Sequence, residues 1–321
     1  MKKFILIFFV FTTLSFIVSW QINKKSNLII DQRNEALVFV AENKDIEPPL
    51  IVEDDIIKKD IIVDKVKPVV KVKKDLNAIT AEAYMVANLE TGEVYLENNS
   101  KTVFPTASLS KFFTAVVAGH LMSGNNSITI TQSMLDTYGD AGHLVLGEKF
   151  TVDELIFPLL LESSNDAAEA LAQAYDHKKF IQTMNSLAEE LGMMNTSFKD
   201  ASGLSPSNIS NVKDLFVLAT YYYNNEKNLL EITKMKEVAL ATTTDHGYHK
   251  FININPFVVY QPFIGGKTGR TQEAKESMIS LFNMKVAENT YPIAVIILRS
   301  NIGDREMDTE RILDRASKVI K

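Results

Sequence analysis

Ser108-Leu109-Ser110-Lys111 opens an apolar, helix-compatible run that continues to Leu121. Three residues along a helix bring two side chains onto one face. The spacing therefore holds a hydroxyl beside an amine, a nucleophile beside a base. The pair alone says little. Serine and lysine are common enough that S-x-x-K should arise about once by chance in a chain of this length. Ser210-Asn211-Val212-Lys213 has the same spacing, and there Ser210 reads simply as the N-cap of a helix beginning at Val212. Ser108 has that structural reading open to it as well. S-x-N also occurs twice. Ser123-Gly124-Asn125 reads as a turn, whereas Ser163-Ser164-Asn165 breaks two helical segments and can point polar groups into a cleft. K-T-G occurs once, as Lys267-Thr268-Gly269 after Gly265-Gly266, where glycines let the backbone approach a ligand closely.

Around these motifs the composition is that of a globular protein: 321 residues, 46% hydrophobic, 23% charged. The net charge of -6 argues against a nucleic-acid partner, which needs clustered positive charge. The chain has no cysteine, which excludes disulfides, thiolate catalysis, sulfur-based zinc sites and lipidation on cysteine. Met1-Lys2-Lys3 precedes a charge-free apolar run over residues 4–20. The run is at the short limit for a membrane span and also fits a signal-peptide core. No A-x-A-like site closes it, and Trp20 suits a membrane interface. Residues 1–20 are therefore expected to be an uncleaved membrane anchor, with a cleaved signal as the alternative. Either places the remainder outside the cytoplasmic membrane.

Residues 21–75 hold 22 charged side chains, 11 of each sign, no glycine, and Pro48, Pro49 and Pro68. This reads as a solvated linker, with residues 61–72 compatible with a short strand. As a coil it spans about 40 Å. Residues 76–321 are expected to form the folded domain. Strands are expected at 83–89 and 94–97, joined at Glu90-Thr91-Gly92-Glu93, and at 276–286 and 291–299. Helical patterns occupy 108–122, 152–161, 166–175, 178–191, 212–223 and 305–320. Strands at both ends with helices between predict an α+β fold, in which the late strands of an antiparallel sheet pair with the early hairpin.

In the order S-x-x-K, S-x-N, K-T-G the motifs match the signature of serine β-lactamases and penicillin-binding proteins. The match extends further. Pro105-Thr106-Ala107-Ser108-Leu109-Ser110-Lys111, Leu159-Leu160-Leu161-Glu162-Ser163-Ser164-Asn165-Asp166-Ala167-Ala168, Leu191-Gly192-Met193 with Asn195-Thr196, Phe198 and Gly203-Leu204, and Gly266-Lys267-Thr268-Gly269-Arg270-Thr271 together resemble the D-alanyl-D-alanine carboxypeptidase family of low-molecular-mass penicillin-binding proteins. The resemblance covers residues 80–315. It implies a β-lactamase/penicillin-binding-protein-like fold, an antiparallel sheet flanked by helices plus a helical subdomain. It implies Ser108 as nucleophile, Lys111 as base and Ser163 as proton relay to the leaving amine. Asn165 would hold the substrate amide and Lys111, and Lys267, Thr268 and Gly269 would contact substrate. Backbone N–H groups of Ser108 and Arg270 would hold the oxyanion. The substrate would be the D-Ala-D-Ala end of a peptidoglycan stem peptide, with β-lactams as covalent inhibitors and neither cofactor nor metal. Its terminal carboxylate would meet Arg305, in Gly303-Asp304-Arg305, with Arg299 as the local competitor.

The residues themselves agree on the base. No G-x-S-x-G elbow is present and none of the five histidines belongs to a recognisable triad. His246 and His249, an H-x-x-H in a polar segment, read as surface residues. A lysine at its usual pKa costs about 4.6 kcal/mol to neutralise at pH 7, so the site must be packed and partly dry, or hold a second cation; the resemblance offers Lys267. The family usually has a small residue, glycine and an aromatic leading the next strand, where this chain reads Glu273-Ala274-Lys275-Glu276-Ser277-Met278. Relatives without a further C-terminal β-domain include D,D-endopeptidases, and this chain stops at Lys321, so cleavage of cross-links is the first alternative. A β-lactamase is the second, although no glutamate after Asn165 convincingly matches the deacylating one. The third, a catalytically silent wall-binding module, is opposed by the intact Ser108, Lys111, Ser163, Asn165 and Lys267.

Overall fold

The computed structural model describes residues 78–139 and 141–320. The expected anchor at 1–20 and linker at 21–75, with its short strand, lie outside the described residues. Among the described residues no helix is long and apolar enough to cross a membrane. The chain runs β1 (Ala83–Asn88), β2 (Val94–Asn98), β3 (Phe104–Pro105) and α1 (Ser110–Leu121). It continues through β4 (Ser127–Thr129), α2 (Gln132–Leu135), β5 (Lys149–Thr151), α3 (Val152–Phe157), α4 (Asn165–Tyr175) and α5 (His177–Glu190). Next come β6 (Ile209–Ser210), α6 (Val212–Asn225), α7 (Lys227–Thr233), β7 (Glu237–Leu240) and β8 (His249–Ile252). Three long strands, β9 (Phe263–Thr271), β10 (Lys275–Val286) and β11 (Asn289–Ser300), lead into α8 (Arg305–Ser317).

The fold is α+β. β1, β2, β9, β10 and β11 form one antiparallel sheet in the order β2-β1-β11-β10-β9. The late hairpin pairs with the early one through β1 and β11, in register from Ala83 against Leu298 to Asn88 against Ile293. The early hairpin turns because Asn88 Oδ1 accepts the N–H groups of Glu90 and Thr91 and Gly92 takes φ +73°. Alternation of side chains along a strand gives the sheet two apolar faces. Met85, Ile279, Leu281, Ala294, Ile296 and Leu298 face the helical body. Val86, Met278, Phe282, Val295 and Ile297 face Ile312 and Ala316 of α8. Each of the larger buried side chains, the alanines aside, contributes about 1.5–3 kcal/mol.

α1 is the axis of the helical body. Its residues 110–118 are all buried, and the Tyr222 ring stacks on Phe112 with centroids 4.1 Å apart while its hydroxyl donates to the Phe112 carbonyl at 2.8 Å. Side-chain caps start the surrounding helices. Ser164 Oγ accepts from Ala167 N, Asp176 from Lys179 N and Asn211 Oδ1 from Asp214 N. The cap of α6 is thus Asn211; Ser210, expected there, instead lies in β6 with its hydroxyl on Thr196 Oγ1 at 2.7 Å. The segment expected as one helix over 152–161 is α3 followed by a wider turn, Pro158–Glu162. The edge strand β9 thus runs beside the turn that opens α1, and the cleft lies between sheet edge and helical body.

Candidate active site

Ser108 sits in a tight turn, Ala107–Leu109, at the mouth of α1. The turn is over-determined from behind. Ala107 holds φ +49°, a strained value for a residue with a Cβ, worth about 1–3 kcal/mol. Its carbonyl accepts from Ser110 Oγ at 2.9 Å, and Thr106 N donates to Asn208 O at 2.8 Å. Gly203, at φ +86°, packs so close to the Ala107 carbonyl that a Cβ there would overlap it. In front, Gly269 of β9 approaches so tightly that an added Cβ would stand 3.0 Å from Thr106 O.

One turn along α1, Lys111 is fully buried, with its Nζ 3.0 Å from Ser108 Oγ. Its amine also donates to Asn165 Oδ1 at 2.7 Å and to the Ser202 carbonyl at 2.6 Å. Burial lowers its pKa from the usual 10.5 to about 7, against the opposing pull of the Asp200 carboxylate. A neutral amine has two N–H groups and one lone pair. Two acceptor-only oxygens take the N–H groups, which leaves the lone pair for the Ser108 hydroxyl.

Ser163 follows the wide turn at Pro158–Glu162 and takes the left-handed region, φ +64°. Its hydroxyl accepts from Lys267 Nζ at 2.8 Å, and the same amine donates to Thr268 O at 2.9 Å. Lys267 is 1% exposed. Burial, then the nearby charges of Lys111 and Arg305, hold its pKa well below the usual lysine range. Asn165, on the first turn of α4, closes the ring by donating from Nδ2 to the Tyr138 carbonyl at 2.5 Å. Glu162 steadies this side, accepting from Gly142 N at 3.0 Å and Ile252 N at 2.9 Å. Residues from three distant motifs thus meet in one cleft.

Thr268 and Gly269 are buried in β9, and Arg270 is exposed. Arg305 is the first residue of α8 and donates from Nη1 to the Gly269 carbonyl at 3.4 Å. Arg299 is committed elsewhere. It donates to the Glu273 carbonyl, pairs with Glu82 at 3.2 Å and lies over the Phe104 ring. Of the two arginines, Arg305 is therefore the one that reaches the K-T-G strand. The second S-x-x-K separates in space, since Lys213 pairs with Glu97 at 3.4 Å.

One expectation about this region needs correction. His246 and His249 are buried, not on the surface. His249 Nε2 lies 2.9 Å from Glu148 and His246 Nε2 3.5 Å from Glu154, and the His246 ring stacks on Phe150. The pair fastens the β7–β8 hairpin to β5 and α3. Sequence reasoning also missed Asp200. Its carboxylate accepts the backbone N–H groups of Ser202, Gly203, Leu204 and Ser205 and the Ser202 hydroxyl, and so fixes the loop whose Ser202 carbonyl meets Lys111. The signal for it was the turn-forming Asp200-Ala201-Ser202-Gly203. Asp200→Ala strips these donors of their acceptor. It is expected to cost about 3 kcal/mol of unfolding free energy, read by urea denaturation; an unchanged midpoint would contradict the anchoring role.

The model of the D-alanyl-D-alanine carboxypeptidase family, S11 of the serine peptidases, matches residues 69–300. The D-alanyl-D-alanine carboxypeptidase DacF of Bacillus subtilis is 27% identical over 74% of this chain and 62% of its own length. A D-alanyl-D-alanine endopeptidase of Haemophilus influenzae is 32% identical over 62% of this chain and 69% of its own. Among solved structures, the Streptomyces K15 DD-transpeptidase superposes with a TM-score of 0.68 at 28% identity, covering 74% of this chain and 97% of that one. The chain spans less than two thirds of the length of the Bacillus relative. With the family model covering most of the folded residues and the fold and motifs in agreement, the chain belongs to the D-alanyl-D-alanine carboxypeptidase family.

Proposed function

We propose that this chain is a serine-type D-alanyl-D-alanine carboxypeptidase of the cell wall, acting on peptidoglycan stem peptides through an acyl-enzyme on Ser108. The observation that carries the reading is the fully buried Lys111 amine, which donates to Asn165 Oδ1 and the Ser202 carbonyl and stands 3.0 Å from Ser108 Oγ. Ser108 Oγ attacks the penultimate D-Ala carbonyl while Lys111 takes its proton. The oxyanion that forms lies between the turn at Ser108 and the edge strand at Arg270, where backbone N–H groups hold it. The C–N bond then breaks, and Ser163, fed by Lys267, passes a proton to the departing D-Ala amine. Water hydrolyses the ester by the reverse proton path, returning Ser108. Thr268 and Asn165 align the peptide, and Arg305 meets its terminal carboxylate. A β-lactam acylates the same oxygen.

The apolar run at 4–20 supports a membrane anchor that places this site extracytoplasmically, and residues 21–75 serve as the linker to the catalytic domain at 76–321. Incubating the purified chain with muropeptides tests the activity. The expected result is free D-alanine from pentapeptide monomers. Conversion of cross-linked dimers to monomers without D-alanine release would replace this reading with endopeptidase action.

A further inference from the structure

Glu276 of β10 pairs in register with Arg270 of β9, and cross-strand partners share a sheet face. That face is the one α8 covers, since Met278, two residues on, packs in its apolar cluster. Glu276 is 6% exposed. Its Oε2 accepts the backbone N–H of Gly303 at 3.1 Å, and its Oε1 lies 3.8 Å from Arg270 Nη1. Gly303 stands two residues before Arg305, whose guanidinium feels the Glu276 charge. Arg305 Nε is buried and finds no hydrogen-bond acceptor among the described residues. Beside the K-T-G strand the chain thus sets two guanidinium groups and the fixed Glu276 carboxylate, with the exposed Glu306 adding a further negative charge near Arg305.

A peptide with a free C-terminus brings a second carboxylate to these guanidinium groups. A buried carboxylate of the same sign shares the cations and repels the newcomer, and low-dielectric surroundings enlarge the effect. A C-terminus in amide linkage carries no charge and is indifferent to it. We propose that Glu276 is a specificity-determining residue: its carboxylate offsets the cations that would hold a free C-terminal carboxylate, and so moderates the preference of the cleft for the free acid over a neutral C-terminus. The inference rests on the reading that Arg305 receives the C-terminal end of a D-Ala-D-Ala substrate in this cleft.

Binding without turnover tests it. The full chain carrying Ser108→Ala is titrated calorimetrically with an N-acylated tripeptide ending in D-Ala-D-Ala, as the free acid and as the C-terminal amide. The titrations are repeated with Glu276→Gln added, which keeps an acceptor for Gly303 N–H and removes the charge. The free acid is expected to bind about tenfold tighter after the second substitution, with the gain shrinking as salt is raised, and the amide to change less than about twofold. Should Glu276→Gln fail to fold, Glu276→Met, which fills similar volume without charge, is read the same way. Equal changes for both peptides, or weaker binding of the free acid, overturn the inference and leave the proposed function standing. Binding of neither peptide to either protein overturns the substrate reading and this inference with it.

Discussion

Ser108→Ala is expected to eliminate covalent labelling by penicillin and to lower release of D-alanine by about 10⁴-fold or more, the scale seen when a nucleophile that works as a unit with its base is removed. The change deletes one oxygen and leaves the turn intact, since the conformation at Ala107 is held by Gly203, Ser110 and Asn208 rather than by the Ser108 side chain. Lys111 keeps its bonds to Asn165 and Ser202, so the fold and the thermal midpoint should barely move. Neighbouring hydroxyls cannot substitute. Ser110 Oγ is buried, donates to the Ala107 carbonyl at 2.9 Å and lies 3.0 Å from Thr106 Oγ1, and Ser163 is held by Lys267. Intact-mass measurement should show one adduct on the wild-type chain, mapped to the peptide containing Ser108, and none on the variant. An adduct that persists on the variant would remove Ser108 from the mechanism. The lifetime of the wild-type adduct is a separate readout: slow loss of bound penicillin agrees with a peptidase, and rapid turnover would identify a β-lactamase.

What the sequence revealed, and what it hid, follows from the range of the interactions. Ser108 and Lys111 are one helical turn apart, so their meeting is local and legible from spacing. The early hairpin, β10 and β11 announce themselves by apolar alternation and turn residues, and their pairing follows from the sheet they must complete. β9 escaped notice as a strand although it carries the K-T-G motif. Its Gly265, Gly266 and Gly269 lower strand propensity, yet each is there because backbone or side chains press on it: Gly265 against Leu230, Gly266 against Ile279 O, and Gly269 against the Ser108 turn. The glycines that hid the strand are the ones that let it close the site. Ser163 and Lys267 lie 104 positions apart, and only the resemblance brought them together before the fold did. The Ser202 and Tyr138 carbonyls, which accept hydrogen bonds from Lys111 and Asn165, have no sequence signature, since every residue carries the same group. His246 and His249 misled because a polar segment can still be buried when Glu148 and Glu154 stand opposite it.

Acylation of the wild-type chain by penicillin is expected to rise with pH through a midpoint near 7 and then level, because only the neutral form of Lys111 accepts the Ser108 proton. Burial lowers the lysine pKa to about 7 while the Asp200 carboxylate opposes the shift. Lys267, with Arg305 behind it, faces Lys111 across the cleft and is itself held far below its usual range, so the observed midpoint belongs to the coupled pair. Lys111→Met should slow acylation at pH 8 by about 10²–10⁴-fold and abolish the limb; a limb of unchanged position would assign the proton transfer elsewhere. Stability supplies an independent check of the same group. Between pH 7 and 10.5 the unfolded chain carries a proton on Lys111 that the folded chain lacks, so unfolding free energy rises with pH across that window, by up to about 5 kcal/mol from this group. Below pH 7 both states are protonated and the burial penalty is fully present. Lys111→Met removes that rise, at the cost of leaving Asn165 Oδ1 and the Ser202 carbonyl without a donor, about 1–3 kcal/mol each. Urea unfolding of both proteins at pH 6 and pH 10 reads the difference. The wild-type gain over that interval should exceed the variant's, with the residual slope belonging to Lys267 and the other titrating groups, and equal gains would mean that Lys111 is charged in the folded protein.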